Sequence, residues 1–597
     1  MTLGKLFLNV LHRTSDAPDT DQHFARIQQD IAHEAGLRTT FLINPENLFF
    51  DTVIDLAKHY ADDYGDEIGI SLQGLQGPVM ARLFNDGERR KRRIWLCTTE
   101  EKHAIFELVF ERFHEAFGRY PSALTSYYLD APTINWCKEQ YPNLEVVVAS
   151  CFEEGTKVYR GCNYAWHLYS EGGPWWPWIP SKQNSQCPAF GPEDDSGVVA
   201  MPHLNRDLLL AVEDRDDYFS SHPMNVMRGL AFEDDEYPYI YNFIDETVLQ
   251  SRYNQGYAHV NVYVSVHWMS PFGHQRWFDG DNNRLHRIYR DTLNYYAELK
   301  TRDLVEDVTM TEFARWFRDV RSYKPTVSLW DDVLCGTDRQ IFWYADPWMR
   351  VAVNSTIGGS IIDLRPWAGR HARPIGADSP YGSDGSYPHM LQAMYRGKFS
   401  KTGTIEPSGL HVYLTHNGET VRGTSRRTQG KITQDGERTT FTLEPVTFRF
   451  ADALTADLVT CYHFLPGGMV TIEREIVSIS DVEADLTLSE EFLGIYGTVE
   501  YSADLQDITL HVTQAENTTT LDHYQYQGRD ATLENVDEVG VTIPDINIVL
   551  RWKPDGPASG TIQEAELFTM MYILKLARPV IHGKVYRSWL KLENTNP

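Results

Sequence analysis

In the first half of this 597-residue chain, carboxylates, histidines and indoles recur just after short apolar runs. Arg13 and Asp16 follow Leu6–Leu11, Glu46 follows Thr39–Asn44, and Glu67 and Gln73 bracket the third run. Tyr128 ends the fourth run, Ala123–Tyr128, and Asp130 follows it. Glu153 and Glu154 follow Glu145–Ser150, while His203, Asn205 and Asp207 follow Gly197–Met201. His267 and Trp268 close a run from Ala258 to Val266. Carboxyl groups gathered on one rim are what glycosidic cleavage needs. One protonates the leaving oxygen, and the other activates water or attacks the anomeric carbon. Asp130, Glu153, Asp207 and His267 are therefore the catalytic candidates. Arg13, Asp16, Tyr128 and His203 are candidates for holding sugar hydroxyls or an anionic substituent. Trp175, Trp176 and Trp178, in a loop too rich in glycine and proline for a helix, join Trp268 as flat faces on which a sugar ring could stack.

Each of these residues also has a plainer reading. Asp130, directly before Ala131 and Pro132, suits a helix N-cap. Glu153 and Glu154 suit solvated loop charge, Asp207 a cap or a partner for Arg206, and His267 a satisfied core histidine. The indoles suit a loop packed onto its scaffold. His12, Asp16 and His23, or His203 with His267, could ligate a cation, yet none has a recognised metal-ligand spacing. The expectation is no cofactor, with a divalent metal as the less favoured alternative.

The elements that must position these residues alternate. Apolar runs, long enough for strands buried on both faces, are separated by helical stretches at His23–Ala35, Asp51–Tyr64, Glu101–Phe117, Thr133–Tyr141, Phe243–Gln255, Arg284–Thr301 and Met310–Arg321. Some seven alternations fit α/β crossovers over a parallel sheet. No glycine-rich dinucleotide fingerprint follows the first strand, so a distorted (β/α)7 barrel is expected over residues 1–325 rather than an open doubly wound sheet. After Lys324 and Pro325 helix signals fade, and short strands between turns predict an antiparallel β-sandwich, an accessory domain over residues 326–597.

Acids outnumber bases 83 to 55, giving a formal charge of -28. A phosphate backbone or anionic membrane requires a basic footprint, so neither is an expected partner. No run reaches the ~20 apolar residues of a membrane helix. The 7 cysteines show no paired spacing, and Met1–Asn9 does not read as a leader. A cytoplasmic location is expected, with a carbohydrate substrate as partner and a homo-oligomer as a compatible state.

Gly65-Asp66-Glu67-Ile68-Gly69 carries a resemblance. It is similar to the second motif of NodB-type polysaccharide deacetylases, which usually reads G-H-E-I-G before metal-binding histidines. Asp66 stands at the first histidine of that phrase, and Ser71 and Gln76 stand near the ligand positions. His267 matches the strand-end histidine of the family's last motif. At the family's first-strand aspartates this chain reads His12-Arg13-Thr14-Ser15-Asp16. With a β-sandwich appended, the chain resembles glycoside hydrolase/deacetylase proteins of that superfamily. The resemblance implies a barrel carrying paired carboxylates and a degraded metal site. It points first to a glycoside hydrolase. A metal-dependent carbohydrate deacetylase using Asp16, or a carbohydrate-binding protein without catalysis, are the alternatives.

Overall fold

The computed structural model describes residues 3–15, 21–72, 77–83, 94, 97–126, 129–150, 173–210, 238–264, 266, 269–271, 284–369, 390–391, 396–398, 405–407, 409–495, 509–522, 531–543, 547–564 and 572–595. The chain forms two compact units, with the main boundary between Lys324 and Pro325.

In the N-terminal unit strands and helices alternate as β1 (Lys5–Arg13), α1 (His23–Glu34), β2 (Thr40–Ile43), α2 (Asp51–Tyr64) and β3 (Glu67–Ser71). Then come α3 (Pro78–Leu83), α4 (Thr99–Phe117), β4 (Ala123–Thr125), α5 (Ala131–Gln140), β5 (Val146–Ser150) and β6 (Val199–Pro202). The unit ends with α6 (Pro238–Leu249), β7 (Tyr257–Tyr263), α7 (Arg284–Thr301), β8 (Val305–Asp307) and α8 (Met310–Arg321). Local chemistry sets several boundaries. Thr98 and Glu101 form a capping box at the start of α4, as Thr309 and Glu312 do for α8. α2 ends on Gly65 in the left-handed region at φ 75°, where a side chain would be strained.

The strands form one parallel sheet in the order β6-β5-β4-β3-β2-β1-β7. The short β8, not anticipated from sequence, also pairs in parallel with β1, at Leu6–Leu8. β1 is buried almost throughout, and its Phe7 and Leu11 join the core formed with Phe41, Ile70, Phe106, Val147 and Phe313.

No backbone ladder joins β6 to β7 among the described residues; side-chain amides span that gap instead. Asn205 donates from Nδ2 to the His259 carbonyl (2.9 Å) and accepts at Oδ1 from the Asn261 N–H (2.9 Å). Asn261 in turn donates from Nδ2 to the Pro202 carbonyl (2.6 Å). The sheet therefore curls until its two edges meet at a seam of asparagines.

The C-terminal unit is all-β. Its strands, from Thr326–Asp331 to Val585–Asn594, pair antiparallel in a large sheet that folds back on itself as a sandwich. Thr455–Leu465 alternates strictly between buried and half-buried positions, the period-two signature of a strand with one face in a core. That core holds Val412, Leu414, Phe448, Leu458, Ile476, Leu488 and Tyr586. Within the same layer Glu490 accepts from Arg474 Nε (2.9 Å), from an Arg578 guanidinium N–H (2.9 Å) and from the Ser588 hydroxyl. No helix among the described residues is long and apolar enough to cross a membrane.

The seam generates a ranking. Asn205→Ala orphans a buried N–H and a buried C=O, whereas Asn261→Ala orphans the Pro202 carbonyl. Urea unfolding should show a loss of about 2–4 kcal/mol for Asn205→Ala and about half that for Asn261→Ala. Equal, negligible losses would show that the seam does not hold the edges.

Candidate active site

The C-terminal ends of β1, β6 and β7 bring three side chains together. Tyr263 meets both Arg13, whose guanidinium carbon sits 5.6 Å from its ring centroid, and His203, whose ring centroid is 4.3 Å away. All three are buried. The β1–β7 register sets Leu11 against Tyr263, so Arg13, two residues on, projects on the same face past the tyrosine. Arg13 and His203 were candidates from sequence, and the fold joins them through a residue that sequence reasoning missed. Only the alternation within Ala258–Val266 could have placed Tyr263 on the face of His259 and Asn261.

His12 occupies the other face of β1. Gln29 on α1 donates from Nε2 to Asp66 (3.3 Å), which leaves its Oε1 to accept from His12 Nδ1–H (2.9 Å). Tyr289 on α7 then donates its hydroxyl to His12 Nε2 (2.5 Å). Both ring nitrogens are engaged, and burial pushes the His12 pKa down to about 4, so the imidazole is neutral. It is a joint between strand and helices. His23, the other described member of that cation-binding trio, packs edge-on against Phe24 at 5.0 Å. Among the described residues no three His, Cys, Asp or Glu side chains form a metal-binding group.

Asp66 and Glu67 require a correction. Both sit at the start of β3, the opposite end of the strand from Ser71, so they do not face the rim. Asp66 accepts from the Thr39 N–H (2.8 Å), the Thr39 hydroxyl (2.9 Å) and His33 Nε2 (3.0 Å). Glu67 accepts from Thr40, Ser122 and Thr311. They tie the bottom of the sheet together.

The described carboxylates at the other end also hold structure. Glu46 is fully buried and accepts the Val79 and Met80 N–H groups at the first turn of α3. Asp130 caps α5 by accepting from the Thr133 N–H (3.0 Å) and pairs with Lys102 Nζ at 2.9 Å, both side chains buried. Asp207 accepts from the Leu209 and Leu210 N–H groups (3.0 Å each) and from the Tyr239 hydroxyl (2.8 Å). Lys102 escaped the sequence reading because a lysine in a charged helix looks solvated.

Trp175, Trp176 and Trp178 are 2%, 3% and 4% exposed. Trp178 bridges antiparallel to Ala200 of β6, and its indole N–H donates to the Ser185 carbonyl (2.9 Å). Trp178 thus belongs to the core rather than to an open stacking platform, because its ring packs among the strand side chains. Asp16, Tyr128, Glu153, His267 and Trp268 lie outside the described residues, as do Gln73 and Gln76.

Two predictions follow from this geometry. Between pH 6.5 and 4 the unfolded chain binds a proton at residue 12 that the folded chain refuses, so stability falls as pH falls. His12→Gln should flatten the urea-unfolding stability of the N-terminal unit by about 1.4 kcal/mol per pH unit across that window. An unchanged slope would mean His12 titrates normally. Asp130→Asn should cost about 3–5 kcal/mol by removing the carboxylate charge from buried Lys102, and adding Lys102→Met should recover most of it. A double variant no more stable than Asp130→Asn would show that the ion pair is not the source.

A glycoside hydrolase/deacetylase of provisional assignment from Parabacteroides distasonis shares 13% identity, covering 68% of this chain and 94% of that one, with a TM-score of 0.49. The 4-alpha-glucanotransferase of Thermococcus litoralis shares 10% identity over 99% of this chain and 100% of that one, with a TM-score of 0.30. A provisionally assigned aldose 1-epimerase from Klebsiella pneumoniae subsp. pneumoniae shares 8% identity over 47% and 87% of the two chains, with a TM-score of 0.31. No curated protein matches. The model of a family described as a domain of unknown function with a solved structure, DUF3863, matches residues 12–326, more than half of the chain, and the chain belongs to that family.

Proposed function

We propose that this protein is a carbohydrate-active enzyme that hydrolyses glycosidic bonds at the C-terminal rim of its parallel sheet. The observation that carries the reading is the Arg13–Tyr263–His203 cluster at the ends of three strands. In curled parallel sheets, chemistry gathers at that edge. An aromatic ring with a guanidinium and an imidazole close to it offers an apolar wall and directed donors, the mixture that sugar pockets use. Arg13 fits a carboxylate or hydroxyl pair of the substrate, and His203 fits a hydroxyl near the scissile bond. Asp130 and Asp207 hold the turns that carry this rim. Of the carboxylates weighed from sequence, the acid–base work is best assigned to Glu153, and His267 remains the histidine candidate for it.

The test is reducing-sugar release from mixed oligosaccharides, with and without chelator. His203→Ala and Glu153→Gln should each lower kcat/KM at least ~100-fold while the thermal midpoint holds, a loss of about 3 kcal/mol of transition-state stabilisation. Asp207→Asn should lower the midpoint itself. Acetate release that depends on added zinc would overturn hydrolysis in favour of deacetylation. Saccharide binding without turnover would leave a binding protein.

A further inference from the structure

One face of the C-terminal sheet points away from the sandwich core. Along Val585–Asn594, Tyr586, Leu590 and Leu592 are buried, and Arg587, Trp589 and Lys591 alternate with them on the outer side. The registers set Trp589 opposite Thr471 of Met469–Ile479 on one side and opposite Lys553 of Ile548–Pro554 on the other. Directly opposed residues share a face and lie about 5 Å apart, so a hydroxyl, an indole and an ammonium form one row across three strands. Thr471 and Trp589 are half-buried and Lys553 is exposed, so the row lies at the surface and a ligand needs no cavity to reach it. A tryptophan on the outer face of a strand leaves a large apolar ring beside water.

The charged groups around this row are paired with one another. Arg587 donates from Nε to Glu473 (2.7 Å), and His463 Nε2 lies 3.3 Å from the same carboxylate. Lys591 donates to Glu593 (2.7 Å), while Arg551 donates to Glu593 (2.6 Å) and to Glu538 (2.5 Å). The row itself takes no part in this network. Among the described residues the side chains of Thr471, Trp589 and Lys553 make no hydrogen bond or ion pair, and the indole has no ring or cation against it. The indole N–H is unbonded without being shut away from solvent. With Glu473, Glu538 and Glu593 matched by Arg587, Arg551 and Lys591, Lys553 is the uncompensated charge of this patch. It is a positive spot on a chain of formal charge -28.

We propose that the Thr471–Trp589–Lys553 row is a docking surface for an acidic saccharide, a chain of sugar rings that carry carboxylates. The indole offers a flat apolar face to the C–H side of a ring, Lys553 Nζ a cation to its carboxylate, and Thr471 a hydroxyl that donates or accepts. Charge complementarity selects the acidic class, because a neutral sugar would leave the ammonium without a partner. From Thr471 to Lys553 the row spans two strand spacings, about 10 Å, which suits two linked rings. Only the sugar as bearer of the carboxylate rests on the reading that the protein acts on carbohydrate.

Titration calorimetry of the full-length His203→Ala protein, in which the barrel rim is impaired, tests this with oligogalacturonate, oligomannuronate and neutral cello-oligosaccharides. One acidic oligomer should bind at least ~10-fold more tightly than the neutral ones, and added salt should weaken it. Lys553→Gln and Trp589→Ala should each reduce that affinity at least ~10-fold. Lys553→Gln, at an exposed position, should do so with the thermal midpoint unchanged. Binding that survives both variants within twofold, a preference for the neutral oligomers, or no binding by either acidic oligomer overturns the proposal. Equal binding of polyglutamate, which has no ring to stack, also overturns it and assigns the surface to acidic peptide. Hydrolysis by the wild-type chain with no Lys553-dependent binding rejects the row and keeps the rim reading. Lys553-dependent binding with no oligosaccharide hydrolysed rejects the rim reading and keeps the row.

Discussion

The side-chain amides of Asn205 and Asn261 are the constraint on which the N-terminal unit depends. The seven-strand path of this parallel sheet, from β6 to β7, ends in two edges, each a row of N–H and C=O groups that cannot be buried unpaired. A backbone ladder could join the edges only if they ran in register. An asparagine carries the same donor and acceptor as a peptide group on a short arm, so it can bridge edges that do not align. Asn205 does this in both directions, to the His259 carbonyl and the Asn261 N–H. Because Asn205 is two residues from His203, and Asn261 two from Tyr263, the seam that closes the sheet also brings those rings to 4.3 Å.

The alternation along β1 then divides chemistry from support. His12 and Arg13 are neighbours in sequence, and a strand turns neighbours to opposite faces. His12 meets Gln29 and Tyr289 in the helical layer and is held neutral. Arg13 meets Tyr263 on the face shared with Asn9, His259 and Asn261. That inner face is polar but ordered: His259 donates to Asn9 Oδ1 (2.9 Å), and burial drives its pKa down to about 3. One residue step thus separates a structural histidine from a guanidinium at the rim.

Where local chemistry decides, the sequence was legible. Asp51–Tyr64, Arg284–Thr301 and Met310–Arg321 have the boundaries that their periodicity and caps imply. The parallel α/β unit and the all-β unit follow from the change of pattern at Lys324–Pro325. Long-range chemistry was not legible. Asp66 and Glu67 look like rim residues because they fall within a resemblance to a metal-site motif, but strand direction puts them at the closed end. Lys102 and Asp130 are 28 residues apart, and no local pattern announces a buried pair between them. The indoles of Trp175–Trp178 suggested an open platform, whereas burying them secures a loop that glycine and proline alone would leave loosely held.

The acidic composition takes on a different meaning in this light. Each described carboxylate weighed for chemistry proves to accept backbone N–H groups, hydroxyls or a lysine: Glu46 at α3, Glu67 at the sheet's foot, Asp130 at α5 and Asp207 in the turn after β6. Parallel strands leave many crossover ends to be capped, and acids are suited to the N-terminal end of a helix, where N–H groups lack partners. Such a carboxylate is committed to the bonds that hold its turn. A proton-transferring acid needs the opposite surroundings, desolvated and with few donors. In the sandwich, burial raises the Glu491 pKa against a single tyrosine hydrogen bond and two nearby cations. The capped turns of the N-terminal unit thus serve to hold its cationic and aromatic rim in place.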